Sequence, residues 1–298
     1  MRIGYAAINR TLADEGIRSH ARFMLRSYSG ERFRETLAAN LTGLQAILEW
    51  NVERGLLMHR VTSDLVPFGA HPVVDVDWRT EFADRFAELG AYVRAFGVRL
   101  SFHPGQYTLL NSPDEGVHQR AVDDLGYHCE VFEAMGLDTT HKIQIHGGGA
   151  YGDLPTSLAR FVERYQTLPQ RIRDRLVLEN DDFGIGWSEV CWITDRCGVP
   201  VLLDNLHLAV TDEVYDVREA LARAVATWGA ADGPPLVDYS SQDLAKRLGT
   251  HAAELVPEYF STWLEQVGDT DVDVVLEIKD KERSALEALT LVQARARA

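Results

Sequence analysis

Arg175-Leu-Val-Leu-Glu-Asn-Asp-Asp182 joins a short apolar run directly to three acids and an amide. Leu176, Val177 and Leu178 in succession have the pattern of a parallel strand buried on both faces. The run stops on Glu179. A carboxylate at the exit of a buried strand is costly unless it is paired or coordinates a cation. The same event, an apolar strand ending on one ligand-type side chain, recurs along the chain.

Upstream, strands are predicted at Arg2–Ile8, Leu56–Val61, Val98–Phe102 and Lys142–Ile145. Helical spacing of apolar residues follows each, over Glu35–Arg54, Trp78–Phe96, Val117–Met135 and Pro155–Tyr165. Downstream of Leu176–Leu178 comes a helix at Ser188–Cys197, then a strand at Val199–Leu203 and a helix at Val214–Trp228. A weaker strand at Leu236–Tyr239 leads to a helix around His251–Leu264. An eighth, Val272–Leu276, runs into a helix from about Lys281. Eight β–α units without a long interruption predict one (β/α)8 TIM barrel spanning residues 1–298. A doubly wound sheet would announce a glycine-rich loop after its first strand, and Gly4-Tyr-Ala-Ala-Ile-Asn9 is not one.

In such a barrel the C-terminal strand ends converge on the active site. Those ends supply His103, His146, Glu179, Asp204 with His207, Asp238 and Glu277. His71 lies in the loop after the second strand, and His251 in the loop after the seventh or at the next helix start. Imidazoles and carboxylates without a thiol suit manganese, iron or zinc better than calcium or magnesium. Two or three cations would relieve the repulsion among grouped carboxylates, and Glu179, in mid-series, is placed to bridge two of them. Lys279 is expected either to pair with Glu277 or to meet a phosphate. Gln106 and Tyr107 stand at the tip of the loop His103-Pro-Gly-Gln-Tyr-Thr-Leu-Leu110, where an aromatic ring can stack on bases.

A formal charge of −15 argues against a generic nucleic-acid binder. A local basic patch can coexist with it, and Arg18, Arg22, Arg26, Arg32 and Arg34 face only Glu31 in their stretch of sequence. No apolar run approaches the ~20 residues of a membrane span. The strand pattern begins within Met1-Arg-Ile-Gly-Tyr5, and Cys129, Cys191 and Cys197 follow no zinc spacing. Both features fit a cytoplasmic protein that keeps clear of membranes.

Several blocks, in order and over nearly the whole chain, resemble the UV damage endonuclease family. They are Gly4-Tyr5, Thr62-Ser-Asp-Leu-Val-Pro67 with His71-Pro72, and Arg99-Leu-Ser-Phe-His-Pro104. They continue with Ile145-His-Gly-Gly148, Tyr151-Gly-Asp153, Leu178-Glu-Asn-Asp-Asp182 and Leu203-Asp204 with His207. Tyr239-Ser-Ser241 and Leu276-Glu-Ile-Lys-Asp-Lys281 complete the set.

The resemblance implies a metal-dependent barrel related to the barrel-type apurinic endonucleases. It would cut double-stranded DNA immediately 5′ to UV photoproducts, with manganese the usual ion, and act as a monomer. His103, His146, Glu179, Asp204, His207 and Glu277 would be metal ligands, joined by Asp238. Glu179, His71, His251 and Lys279 would serve catalysis. Tyr5 would line the damage pocket, and Gln106 and Tyr107 would wedge into the duplex.

There is one departure. The family carries a Lys-x-His ligand pair on the seventh strand, the lysine carboxylated, where this chain has Leu236 and Asp238. Asp238 can replace the imidazole but Leu236 ligates nothing, so a third metal site is expected to be weakened, remodelled or absent. Leu154 likewise stands where the family tends to carry lysine. The competing expectation is a small-molecule or peptide metalloenzyme on the same barrel, a multi-iron oxygenase or a metal-dependent isomerase.

Overall fold

Strands β1 (Ile3–Ala6), β2 (Met58–Val61), β3 (Arg99–Phe102) and β4 (Lys142–His146) are followed by β5 (Leu176–Glu179), β6 (Val201–Asp204), β7 (Leu236–Tyr239) and β8 (Asp273–Leu276). All pair in parallel and in chain order, and β8 returns to β1 through Ile3 opposite Val274 and Tyr5 opposite Leu276. The sheet is closed, as the eight β–α units predict. The computed structural model describes residues 1–211 and 215–297. The expected helix start at Val214 lies outside the described residues.

Outside the barrel, one apolar layer joins strands to helices. Leu37, Leu41, Leu44 and Leu48 of the helix Gly30–Glu53 recur at three- and four-residue spacing and are fully buried. Phe86 and Leu89 of Ala83–Phe96 do the same, as do Leu125, Cys129 and Phe132 of Glu115–Ala134. Each such side chain contributes about 1.5–3 kcal/mol. Gly43 is required for close approach: a Cβ there would stand 1.9 Å from the backbone oxygen of Arg18. That approach seats the arginine-bearing segment on the helix.

Inside the barrel, Met58, Val177, Leu202, Leu236 and Val275 form a separate apolar plug. Residues two apart along a strand share a face. The same five strands therefore carry Arg60, Glu179, Asp204, Asp238 and Glu277 one layer higher, above a dry floor. Beneath the plug, Asp273 is held by Arg99 at 3.0 Å and by Arg2 at 2.9 Å, closing the N-terminal end.

Several boundaries differ from the sequence reading. The first long helix begins at Gly30 rather than Glu35, because Ser29 Oγ accepts from the Arg32 N–H and caps a polar first turn. The expected Trp78–Phe96 helix breaks at Phe82 into Trp78–Glu81 and Ala83–Phe96. The helix expected from His251 starts at Pro257, with proline in its first turn, so His251 belongs to the loop, where it bridges Gln242. Among the described residues no helix is long and apolar enough to cross a membrane.

Candidate metal centre

The C-terminal strand ends bring the acids and imidazoles together. Ligating atoms within 4.8 Å of one another occur in four groups: His103–His146–Glu179, His146–Asp181–His207, Glu179–Asp204–His207 and Asp204–Asp238–Glu277. Glu179 is shared by two of them. Its Oε2 lies 3.3 Å from His103 Nε2 and 3.7 Å from His146 Nε2, and its Oε1 lies 3.4 Å from His207 Nδ1.

Asp204 ends β6 and caps the short helix Asn205–Ala209, accepting from the His207 N–H at 2.7 Å. The cap turns the His207 ring back toward the strand end that Asp204 leaves. His207 Nδ1 is also 3.0 Å from the Asn180 carbonyl oxygen, a contact that keeps the proton of the neutral ring on Nδ1 and frees Nε2 for coordination. His251 Nε2 reaches Glu277 Oε2 at 3.7 Å from the loop after β7.

The charge balance of this layer calls for cations. Glu179, Asp204 and Asp238 are completely buried. Glu179 Oε1 and Asp204 Oδ2 have no hydrogen-bond partner, and neither have the Nδ1 atoms of His103, His146 and His251. Burial, with Glu179 and Glu277 nearby, pushes the Asp204 carboxyl up to about 7. Burial alone would lower His207, but Asp204 and Glu179 outweigh it and push the imidazole up to about 11. Burial would also raise Glu179, but the imidazoles of His146, His207 and His103 hold it well below the ordinary range. Burial lowers His103 to about 4, so its ring is neutral and ligand-competent. The orphaned oxygens and the neutral His103 ring fit divalent transition ions, and such an ion would have to displace the His207 proton.

Arg60 enters this layer from β2. Its guanidinium donates to Asp238 Oδ1 at 2.5 Å, and also to Glu277 and to Gln144. Gln144 Nε2 then donates at 2.7 Å to both Glu179 Oε2 and Asp238 Oδ2.

The remaining candidates lie outside the cluster. Lys279 does not pair with Glu277, whose partners are Arg60 and His251. Its amine donates to the His251 carbonyl and stands 3.6 Å from Asp243. His71 is exposed, with Nδ1 accepting from the Val73 N–H. Tyr5 is fully buried against the helix Gly30–Glu53, donating to Asn51 at 2.7 Å and accepting from Asn9 at 2.9 Å. Gln106 lines a cavity of about 210 Å³ together with His103, His146, Asp181 and Phe183. Tyr107, 79% exposed, projects from the same loop.

Arg60, Gln144, Asp181 and Phe183 were not foreseen. Strand alternation is the signal for two of them: Gln144 lies two residues before His146, and Arg60 two after an inward-facing methionine. Phe183, 87% exposed on the loop after β5, carries the signal of an apolar ring amid polar neighbours.

A parallel eight-stranded barrel that gathers buried carboxylates and imidazoles at its C-terminal mouth, in groups that could hold metal ions, defines a candidate metalloenzyme of the (β/α)8 class. The family model for UV-endonuclease UvdE matches residues 1–296. The UV DNA damage endonuclease of Clostridium perfringens is 34% identical over 291 residues, 97% of this chain and 70% of the relative. That of Bacillus velezensis is 35% identical over 252 residues, 83% of this chain and 78% of the relative. The crystal structure of SacUVDE superposes with a TM-score of 0.94 at 35% identity, covering 100% of both chains. Endonuclease IV from Thermus thermophilus shares the fold alone, with a TM-score of 0.59 at 18% identity over 85% of this chain and 93% of that one. The chain belongs to the UV-endonuclease UvdE family, and so is an endonuclease, a phosphodiester hydrolase.

Proposed function

We propose that this chain is a metal-dependent, cytoplasmic DNA-repair endonuclease that incises the backbone of UV-damaged double-stranded DNA 5′ to photoproducts. The carrying observation is the sharing of buried Glu179 between His103 with His146 and Asp204 with His207, beside a cavity lined by Gln106 and exposed Phe183. Family membership supports the same reading.

His103, His146, Glu179, Asp204, His207 and Glu277 would hold two or three divalent ions, manganese first and iron or zinc as alternatives. Bound there, such ions would lower the pKa of the attacking water and draw charge from the phosphate. The chain's own residues do the rest. Glu179 fixes the spacing between neighbouring ligand groups. His251, beside Glu277, is placed to handle a proton, and Lys279 positions it through its carbonyl. Exposed His71 is available to a phosphate. Gln106, Tyr107 and Phe183 would hold unstacked bases at a step whose opening costs a few kcal/mol, least where the stack is already damaged.

The surface agrees with a polyanionic partner despite the acidic total. A cavity of about 370 Å³ is lined by Arg10, Arg18, His20, Lys281 and Arg283, with Asp14 as its acid. Arg10 Nε donates at 2.6 Å to the carbonyl of Lys279, two residues after Glu277, so this basic wall lies beside the cluster. Not all of the arginine-rich segment contributes: Arg34 is paired with Glu81 at 2.5 Å.

The test is nicking of supercoiled plasmid, UV-irradiated or not, with manganese, magnesium, cobalt or zinc, and cut mapping on an end-labelled duplex. Nicking confined to irradiated DNA, 5′ to the lesion, is expected. Intact irradiated plasmid with every ion would sink the reading.

A further inference from the structure

We propose that the Arg60 guanidinium permanently occupies the third cation position of this barrel, so that the chain binds two divalent ions rather than three. The inference rests on the metal-dependent reading for the other two positions.

Asp204, Asp238 and Glu277 have the spacing of a cation site, but two of the three already hold a positive charge. Arg60 donates Nη2 to Asp238 at 2.5 Å and Nη1 to Glu277. It is 3% exposed, and a guanidinium does not deprotonate in a protein. The second oxygen of Asp238 is taken as well, by the Gln144 amide at 2.7 Å. The amide is held in that sense, because its own oxygen accepts from Arg60. An ion entering here would meet a fixed positive charge and the N–H face of an amide. Below lies Leu236, packed among Met58, Val177, Leu202 and Val275, which offers no ligand.

The contrast with the rest of the layer decides the count. Glu179 Oε1 and Asp204 Oδ2 are buried without a hydrogen bond, with only the His207 ring at 3.4 Å from the first, whereas no oxygen of Asp238 or Glu277 is among the buried atoms lacking a hydrogen bond in the described residues. Demand for a cation remains around Glu179 and Asp204. Around Asp238 an organic cation has met it.

The experiment loads purified protein with manganese, removes free ion, and counts metal per chain by mass spectrometry, without DNA. Wild type should hold two ions. Asp238→Asn should still hold two, because Asp238 serves Arg60 and not a metal. Arg60→Met, checked for folding by circular dichroism, should gain a third. A wild-type count other than two, an ion lost in Asp238→Asn, or a folded Arg60→Met that stays at two each overturns the proposal. If Arg60→Met does not fold, the other two proteins decide it. Two ions without nicking would overturn the nuclease reading alone, and nicking with three ions would overturn this inference alone.

Discussion

The Nδ1 of His207 lies 3.4 Å from Oε1 of Glu179, although one residue sits on a capped turn after β6 and the other ends β5. Glu179 is thereby approached from both sides, by His103 and His146 at one oxygen and by His207 at the other. Glu179→Gln removes the charge but keeps the shape. It should lower nicking by more than the roughly 10–100-fold typical of an outer-shell partner, and it should release at least one ion. Turnover within tenfold of wild type would remove Glu179 from the bridging role.

Metal binding should strengthen with rising pH. Metal-free, the Asp204 carboxyl titrates near 7 and His207 near 11, both above their ordinary values. For both groups the folded metal-free protein holds protons that the unfolded chain has released. Their contribution to stability is therefore full below about pH 4 for Asp204 and about 6.5 for His207, and falls as pH rises through those windows. An ion must displace the same protons, at roughly tenfold in affinity per pH unit for each one. The rise in melting temperature on adding manganese should be larger at pH 7.5 than at pH 5.5. Equal shifts at the two pH values would show that these groups are not displaced.

The parts of this site that were legible in the sequence share one physical cause. A strand buried on both faces is a continuous apolar run, so a run that stops on His146, Glu179 or Asp204 marks its own C-terminal end. Arg60 escaped because Met58-His-Arg-Val61 carries two polar residues in succession. Only the barrel's parity sends His59 outward against Tyr5, their rings 5.1 Å apart, and Arg60 inward. Asp181 was hidden in a polar run, where nothing local separates a ligand from a loop acid. Tyr5 was expected to line the damage pocket; the same parity points its ring out of the barrel, toward Asn51.

That placement gives Tyr5 a testable structural role. Tyr5→Phe leaves the buried Asn51 side chain without its donor and Asn9 without its acceptor. The loss should be about 1–3 kcal/mol, read as a lower urea midpoint at unchanged m-value. An unchanged midpoint would mean that the hydroxyl is not held as the two hydrogen bonds describe.

Tyr107 and Phe183 should affect DNA and not the fold. They are 79% and 87% exposed, so truncating either to alanine exposes no core. If each stacks on a base, its removal should weaken binding to irradiated duplex by about 1–3 kcal/mol, with the melting temperature held. Affinity unchanged in both variants would remove the loops after β3 and β5 from the DNA-contacting surface.

The basic wall makes the last distinction, between steering by charge and recognition by shape. A chain of net charge −15 is repelled by DNA at long range, so phosphate contacts must come from a local patch. Arg18, Arg10 and Arg283 line one cavity beside the cluster, and Arg18 is exposed there, with its backbone pressed against Gly43. Arg18→Ala should weaken binding to irradiated and unirradiated duplex alike, and should reduce the slope of log affinity against log salt by about one. If the slope is unchanged while damaged DNA alone loses affinity, Arg18 reads the lesion rather than the backbone, and the phosphate path runs over another face of the barrel mouth.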